Sequence, residues 1–194
     1  MSEPVAPALP SAIFERRVIP ALRNISDLPV ALDLGLPAVI MLKGDIFELE
    51  KLVNAAQNRL GVLVHIDLLE GIGRDKAGLA YLQRQFAVTG VVSTRTSLVK
   101  EAHSLGLLSI LRLFVLDSTA YSTGIHLVNS INPDAVEMLP GVVVPYIKDQ
   151  LTSDIKKPVI ASGLIRTTET LREVLAAGAS AVSTSKVDLW HYRP

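Results

Sequence analysis

The feature that most constrains this chain is a rhythm. From about position 16 to about position 185, short aliphatic and β-branched runs alternate with stretches of helical periodicity, at roughly twenty-residue spacing. The runs fall at 18–22, 38–42, 62–68, 90–93, 108–116, 135–138, 158–161 and 179–183. Helix signals stand between them. In 45–53, apolar residues recur at helical spacing with charges between, Asp45 is placed to cap and Glu48 occupies the capping-box position. The stretch 167–178 opens on Thr167 and stops on Gly178, and 98–106 likewise ends on Gly106. Asp75 is placed to cap a helix after the glycines at 71 and 73.

Eight β-α units in 194 residues make one domain, either a closed (β/α)8 barrel or an open doubly wound sheet. The barrel is favoured because several strands carry polar residues in the alternation of an inward-facing layer. The expected organisation is a loose Pro-rich arm over 1–15 and a compact TIM barrel over 16–194. Pro20 places the first strand at an edge-like or irregular position.

Polar residues concentrate at the C-terminal ends of the expected strands. In 62–68, alternation puts His65 and Asp67 on one face and Val64, Ile66 and Leu68 on the other. The aliphatic face belongs against helices, which sends His65 and Asp67 inward. Arg112 and Glu137 occupy matching inward positions in 108–116 and 135–138. Charges inside a barrel must be paired. Two readings stand open: a structural network around Arg112, or a grip on a polar ligand at the barrel end where active sites lie.

Two loops carry an anion argument. Residues 161–167 include Ser162 and Gly163, and 182–186 include Ser183, Thr184 and Ser185 before a short expected helix at 186–190. Small residues let backbone N–H groups approach a phosphate, and barrels that bind phosphate often do so after strands 7 and 8. The plainer reading is a small-residue turn that packs helix on strand. Lys43 is placed either to meet a ligand or to lie in solvent.

Several function classes are disfavoured. The net charge is zero, with 19 basic and 19 acidic residues, so nucleic acid cannot be held by bulk electrostatics alone. A local patch, a ligand-induced surface or a homodimer doubling a modest patch would be needed. No apolar run reaches the length of a membrane span. There is no cysteine, and His103, His126 and His191 lack ligand spacing, so no metal is expected. The Gly71-Ile72-Gly73 run lacks the third glycine of a dinucleotide fingerprint, because position 76 is lysine. Without a basic segment and apolar run at its start, the chain reads as cytoplasmic.

Six segments in order resemble the glycerol-3-phosphate-responsive antiterminators: HIDLLEGIGRD (65–75), STRTSL (93–98), RLFVLDS (112–118), EMLPG (137–141), ASGLIRT (161–167) and VSTS (182–185). The resemblance covers nearly everything after the first dozen residues. It implies a barrel that senses glycerol 3-phosphate, binds leader mRNA of glycerol-metabolism genes, prevents early termination and is not an enzyme. Carried over by position, the phosphate lies on Ser162, Gly163, Ser183 and Thr184. His65, Asp67, Arg112 and Glu137 face or support the glycerol part. The chain departs from the family pattern at Lys43, which precedes Gly44-Asp45, and in the short, Pro-interrupted 24–36. Candidate RNA contacts are Arg16, Arg17 and Arg23, or Arg74, Arg95 and Lys100, each of which reads first as a solvated face. The alternative function is a barrel enzyme, an isomerase, lyase or aldolase, using His65, Asp67 and Glu137 on a small phosphorylated substrate.

Overall fold

A computed structural model describes residues 9–57 and 59–194. Eight parallel strands close into a barrel: β1 (Val18–Leu22), β2 (Ala38–Met41), β3 (Gly61–His65), β4 (Gly90–Ser93), β5 (Leu108–Phe114), β6 (Ala135–Leu139), β7 (Val159–Ser162) and β8 (Ala181–Thr184). Strand β1 pairs with both β2 and β8, which removes the edges an open sheet would leave. The barrel expectation holds. Pro20 needs no edge. The ladder to β8 runs over Val18, Ile19 and Pro20, and the ladder to β2 begins at Ala21, so Pro20 stands at the handover.

The helices are α1 (Leu9–Arg16), α2 (Leu28–Asp33), α3 (Ile46–Ala56), α4 (Lys76–Phe86), α5 (Thr96–Ser104), α6 (Ser118–Ile131), α7 (Lys148–Asp154) and α8 (Thr168–Ala176). The starts of α3, α4 and α8 follow the sequence signals. Asp45 accepts from the N–H groups of Phe47 and Glu48 while Glu48 accepts from the Asp45 N–H, a complete capping box. Asp75 caps α4 through the Gly78 N–H, and Thr167 caps α8 through the Thr170 N–H. Among the described residues no α-helix follows β8. A 3-10 turn over Val187–His191 takes its place, anchored by buried Trp190, whose Nε1 donates to the Thr184 carbonyl at 2.8 Å.

Strand alternation sorts two cores. Outward residues such as Val39, Val64, Leu111 and Val136 join the helices. Inward residues Ile19, Ile40, Leu63, Val92, Ile110 and Ile160 fill the barrel itself. Ile13 of α1 belongs to this inner cluster and is 1% exposed, so α1 plugs the N-terminal mouth. The loose arm expected over 1–15 is therefore corrected over its second half. Burying Ile13 contributes about 1.5–3 kcal/mol, enough to hold a short helix that its own propensity would not. Residues 1–8 of the expected arm lie outside the described residues. Among the described residues no helix is long and apolar enough to cross a membrane, and no group of His, Cys, Asp and Glu is arranged to hold a metal.

Candidate functional site

At the C-terminal end of the barrel the inward layer turns polar. His65 of β3, Arg112 of β5, Glu137 of β6, Ser162 of β7 and Ser183 of β8 continue the alternation of the apolar residues two places earlier. Register sets Arg112 directly across from Glu137, and Ser162 across from Ser183. Arg112 Nε donates to Glu137 Oε2 at 2.6 Å, and Ser162 Oγ donates to Glu137 Oε1 at 2.6 Å. Glu137 is only 1% exposed, and its burial is compensated by a donor on each oxygen and by the guanidinium beside it. The pair spends one nitrogen of Arg112, which still reaches the surface of a cavity above it.

That cavity encloses about 670 Å³. Its wall runs from Arg112, Glu137 and Leu139 through Ser162–Arg166 to Ser183–Lys186, and closes against Ala21, Arg23 and Leu42. All four residues placed at the phosphate by sequence are on it: Ser162, Gly163, Ser183 and Thr184. The Ser183 hydroxyl has no protein partner among the described residues. Thr184 Oγ1 accepts from the Lys186 N–H, which fixes the turn out of β8. Four cationic side chains, Arg23, Arg112, Arg166 and Lys186, share the wall with one carboxylate. Among the described residues Arg23 and Arg166 make no ion pair, whereas Lys186 meets Asp188 at 3.2 Å on the exposed side.

His65 keeps its inward position but stays off the cavity wall. It is 3% exposed and its Nδ1 has no partner among the described residues. Burial, and then the nearby Arg112 charge, hold its pKa below the ordinary histidine value, so the ring is neutral at pH 7. Asp67 departs from the expectation. Strand β3 ends at His65, and Ile66–Leu68 form a single 3-10 turn, so the alternation that pointed Asp67 into the barrel stops two residues short of it. Its carboxylate instead accepts from Ser93 Oγ at 3.0 Å and from the Thr94 N–H at 2.8 Å, and lies 3.6 Å from Arg95 Nε. Asp67 thus ties down the loop after β4. The same turn leaves Leu68 half-exposed rather than packed on helices.

Two site features had weaker signals. Gly141 presses against the β7 loop: a Cβ there would lie 2.7 Å from the Ser162 N and 2.8 Å from Ile165 Cδ1. Only glycine lets the chain after β6 pass this close to the start of the Ser162–Gly163 turn. Leu164 follows Gly163 in the left-handed region, at φ +61° after φ +83°, a conformation a branched side chain adopts only when its surroundings impose it. Lys43 lines a separate depression of about 430 Å³ with Arg23, Glu48 and Glu70, outside the barrel lumen.

The fold and the cavity define the class, a closed parallel (β/α)8 barrel with four cationic side chains on the wall of a cavity at the C-terminal ends of its last two strands. Within that class the chain belongs to the glycerol-3-phosphate responsive antiterminator family, whose sequence profile matches residues 18–190. It is similar to the glycerol uptake operon antiterminator regulatory protein of Listeria monocytogenes str. 4b F2365, with 36% identity, coverage of 90% of this chain and 95% of the other, and a TM-score of 0.83. A glycerol uptake operon antiterminator-related protein of Thermotoga maritima MSB8 is 29% identical, covers 91% and 99%, and gives a TM-score of 0.81. The uncharacterized protein YgcP of Escherichia coli (strain K12) is 32% identical over 174 residues, 89% of this chain and 91% of that protein. An aldolase and an N-acetylmannosamine-6-phosphate 2-epimerase share the fold alone, at 14% and 15% identity.

Proposed function

We propose that the cavity over β7 and β8 binds glycerol 3-phosphate as an effector. Its occupancy controls attachment of the protein to leader mRNA of glycerol-metabolism genes in the cytoplasm, so that transcription passes an early terminator. The phosphate lies on Ser162, Gly163, Ser183 and Thr184, and the glycerol hydroxyls face Arg112 and Glu137. His65 supports Arg112 from below, and Asp67 acts indirectly by holding the loop after β4.

The observation that carries this reading is the imbalance on the cavity wall, four cations against a single carboxylate that is already bonded twice. An anion of two charges is the natural counterpart. Glu137 holds Arg112 through one oxygen and Ser162 through the other, which orients two donors on the cavity wall. No barrel strand contains the lysine that a Schiff-base aldolase uses.

A thermal-shift titration tests the effector. Glycerol 3-phosphate at a hundred times its Kd should stabilise the fold by about 2.7 kcal/mol, while glycerol leaves it unchanged. No response to glycerol 3-phosphate would sink the ligand assignment. A gel shift with the leader transcript, with and without ligand, tests the RNA half separately.

A further inference from the structure

Large apolar side chains exposed on this molecule are concentrated at one end. Six of the eight among the described residues lie between the last residue of a barrel strand and the first turn of the helix that follows it: Phe47, Leu68, Phe114, Leu116, Tyr146 and Leu164. The remaining two, Tyr81 and Leu127, lie on the outer helices α4 and α6. Phe114 ends β5 beside Leu139, with which it is in register, and Leu139 is on the cavity wall. Tyr146 is 86% exposed in the 3-10 stretch after β6, Gly141–Ile147. So much apolar surface around one mouth marks a contact surface.

Loops at this end also carry cations. Arg23, Arg95 and Arg166 are exposed on the loops after β1, β4 and β7. Several carboxylates of the same end are turned to other work. Asp45, Asp75 and Asp117 face the first N–H groups of α3, α4 and α6, and Asp67 faces the 93–95 loop. Exposed aromatic rings and arginines on the loops of one barrel end fit single-stranded nucleic acid, whose bases stack on rings while phosphates meet guanidinium groups.

We propose that the C-terminal face of the barrel is the RNA-binding surface, with Phe114 and Tyr146 as stacking platforms and Arg95 and Arg166 as phosphate contacts. The proposal rests on the antiterminator reading above and adds where single-stranded RNA lies. It also gives the ligand a route to the RNA. Leu164 and Arg166 line the cavity and stand exposed on the rim, in a turn held in left-handed backbone at Gly163 and Leu164. A phosphate seated on that turn fixes two rim residues at once.

The test uses the full chain, the leader transcript and saturating glycerol 3-phosphate, read by fluorescence anisotropy. The double variant Phe114→Ala with Tyr146→Ala should weaken RNA binding at least about 30-fold, the loss expected when two stacked bases are released together. Its thermal shift with glycerol 3-phosphate should match wild type, which shows an intact fold and cavity. The conservative pair Phe114→Tyr with Tyr146→Phe should keep RNA affinity. Wild-type affinity in the alanine double variant overturns the surface and leaves the antiterminator reading standing. A fall in sedimentation mass with RNA affinity intact gives the rim to a second copy and overturns it too. If wild type itself binds no RNA with ligand present, the antiterminator reading fails first and the surface with it.

Discussion

Two carboxylates three positions apart, Asp134 just before strand β6 and Glu137 within it, have opposite fates. Asp134 stands at the N-terminal end. Its Oδ2 accepts from the Ser109 N–H at 2.8 Å, from Ser109 Oγ at 2.6 Å, and meets His103 Nδ1 at 3.3 Å. Burial pushes its pKa up, but the two Ser109 donors and His103 outweigh that and hold it below the ordinary aspartate value. The network is closed on itself, and the apolar inner cluster with Ile13 seals the barrel at that end. Glu137 stands at the other end, equally well bonded, but its partners Arg112 and Ser162 also reach a cavity. Satisfied hydrogen bonds therefore do not separate a structural carboxylate from a functional one here. What separates them is whether the donors that satisfy it have anything left over.

The sharpest way to break this contrast is to remove each carboxylate. Glu137→Ala leaves the Arg112 guanidinium, 10% exposed, without its partner, and should cost about 3–5 kcal/mol in urea unfolding while abolishing the thermal shift with glycerol 3-phosphate. Asp134→Ala leaves the Ser109 N–H and hydroxyl unmet and should cost about 1–3 kcal/mol, with the ligand shift intact. Loss of the ligand response in the Asp134 variant would erase the distinction between the two ends.

Gly141→Ala sharpens the functional end without touching a charge. The new Cβ must displace the backbone at Ser162, and overpacking of this kind costs about 1–3 kcal/mol. Because the displaced atom begins the phosphate turn, affinity for glycerol 3-phosphate should fall about tenfold or more by calorimetry, against the same measurement on wild type. Unchanged affinity would mean that the ligand does not rest on the Ser162–Gly163 turn.

Strand alternation made much of the site legible in advance. Arg112, Glu137, Ser162 and Ser183 share the inward parity of the apolar residues two places before them, and parity survives as long as the strand does. It failed at Asp67 because β3 ends at His65, and sequence has no marker for a strand that stops inside an apolar run. Helix caps at Asp45, Asp75 and Thr167 were readable because they depend on neighbours within three residues. The plug formed by α1 was not, since a short helix is held by the barrel floor it meets and not by its own periodicity. Gly141 and Leu164 escaped for a related reason: their constraints come from packing between the loops after β6 and β7. The choice of glycerol 3-phosphate came from the family resemblance, since parity places an anion site without naming the anion.

The smallest effect concerns His65, the one buried side chain of the polar layer with an unmet nitrogen among the described residues. Burial and the Arg112 charge lower its pKa in the folded state, against the opposing pull of Asp67 and Glu137. The unfolded chain titrates near the ordinary histidine value of about 6.5. Between that value and the lowered folded one, the unfolded state holds a proton that the folded state lacks, so stability rises with pH through this window. Acidification below about pH 6.5 should therefore destabilise the ligand-free protein until the folded-state pKa is passed. Asp134 acts lower, its contribution being lost only as pH falls below the ordinary aspartate range. Urea midpoints measured at half-unit steps from pH 7.5 to pH 5 should show the His65 slope in wild type and not in His65→Gln. The comparison is made without ligand, because the phosphate monoester titrates in the same range. A slope that persists in His65→Gln would assign the proton uptake to another group and leave His65 as neutral packing beneath Arg112.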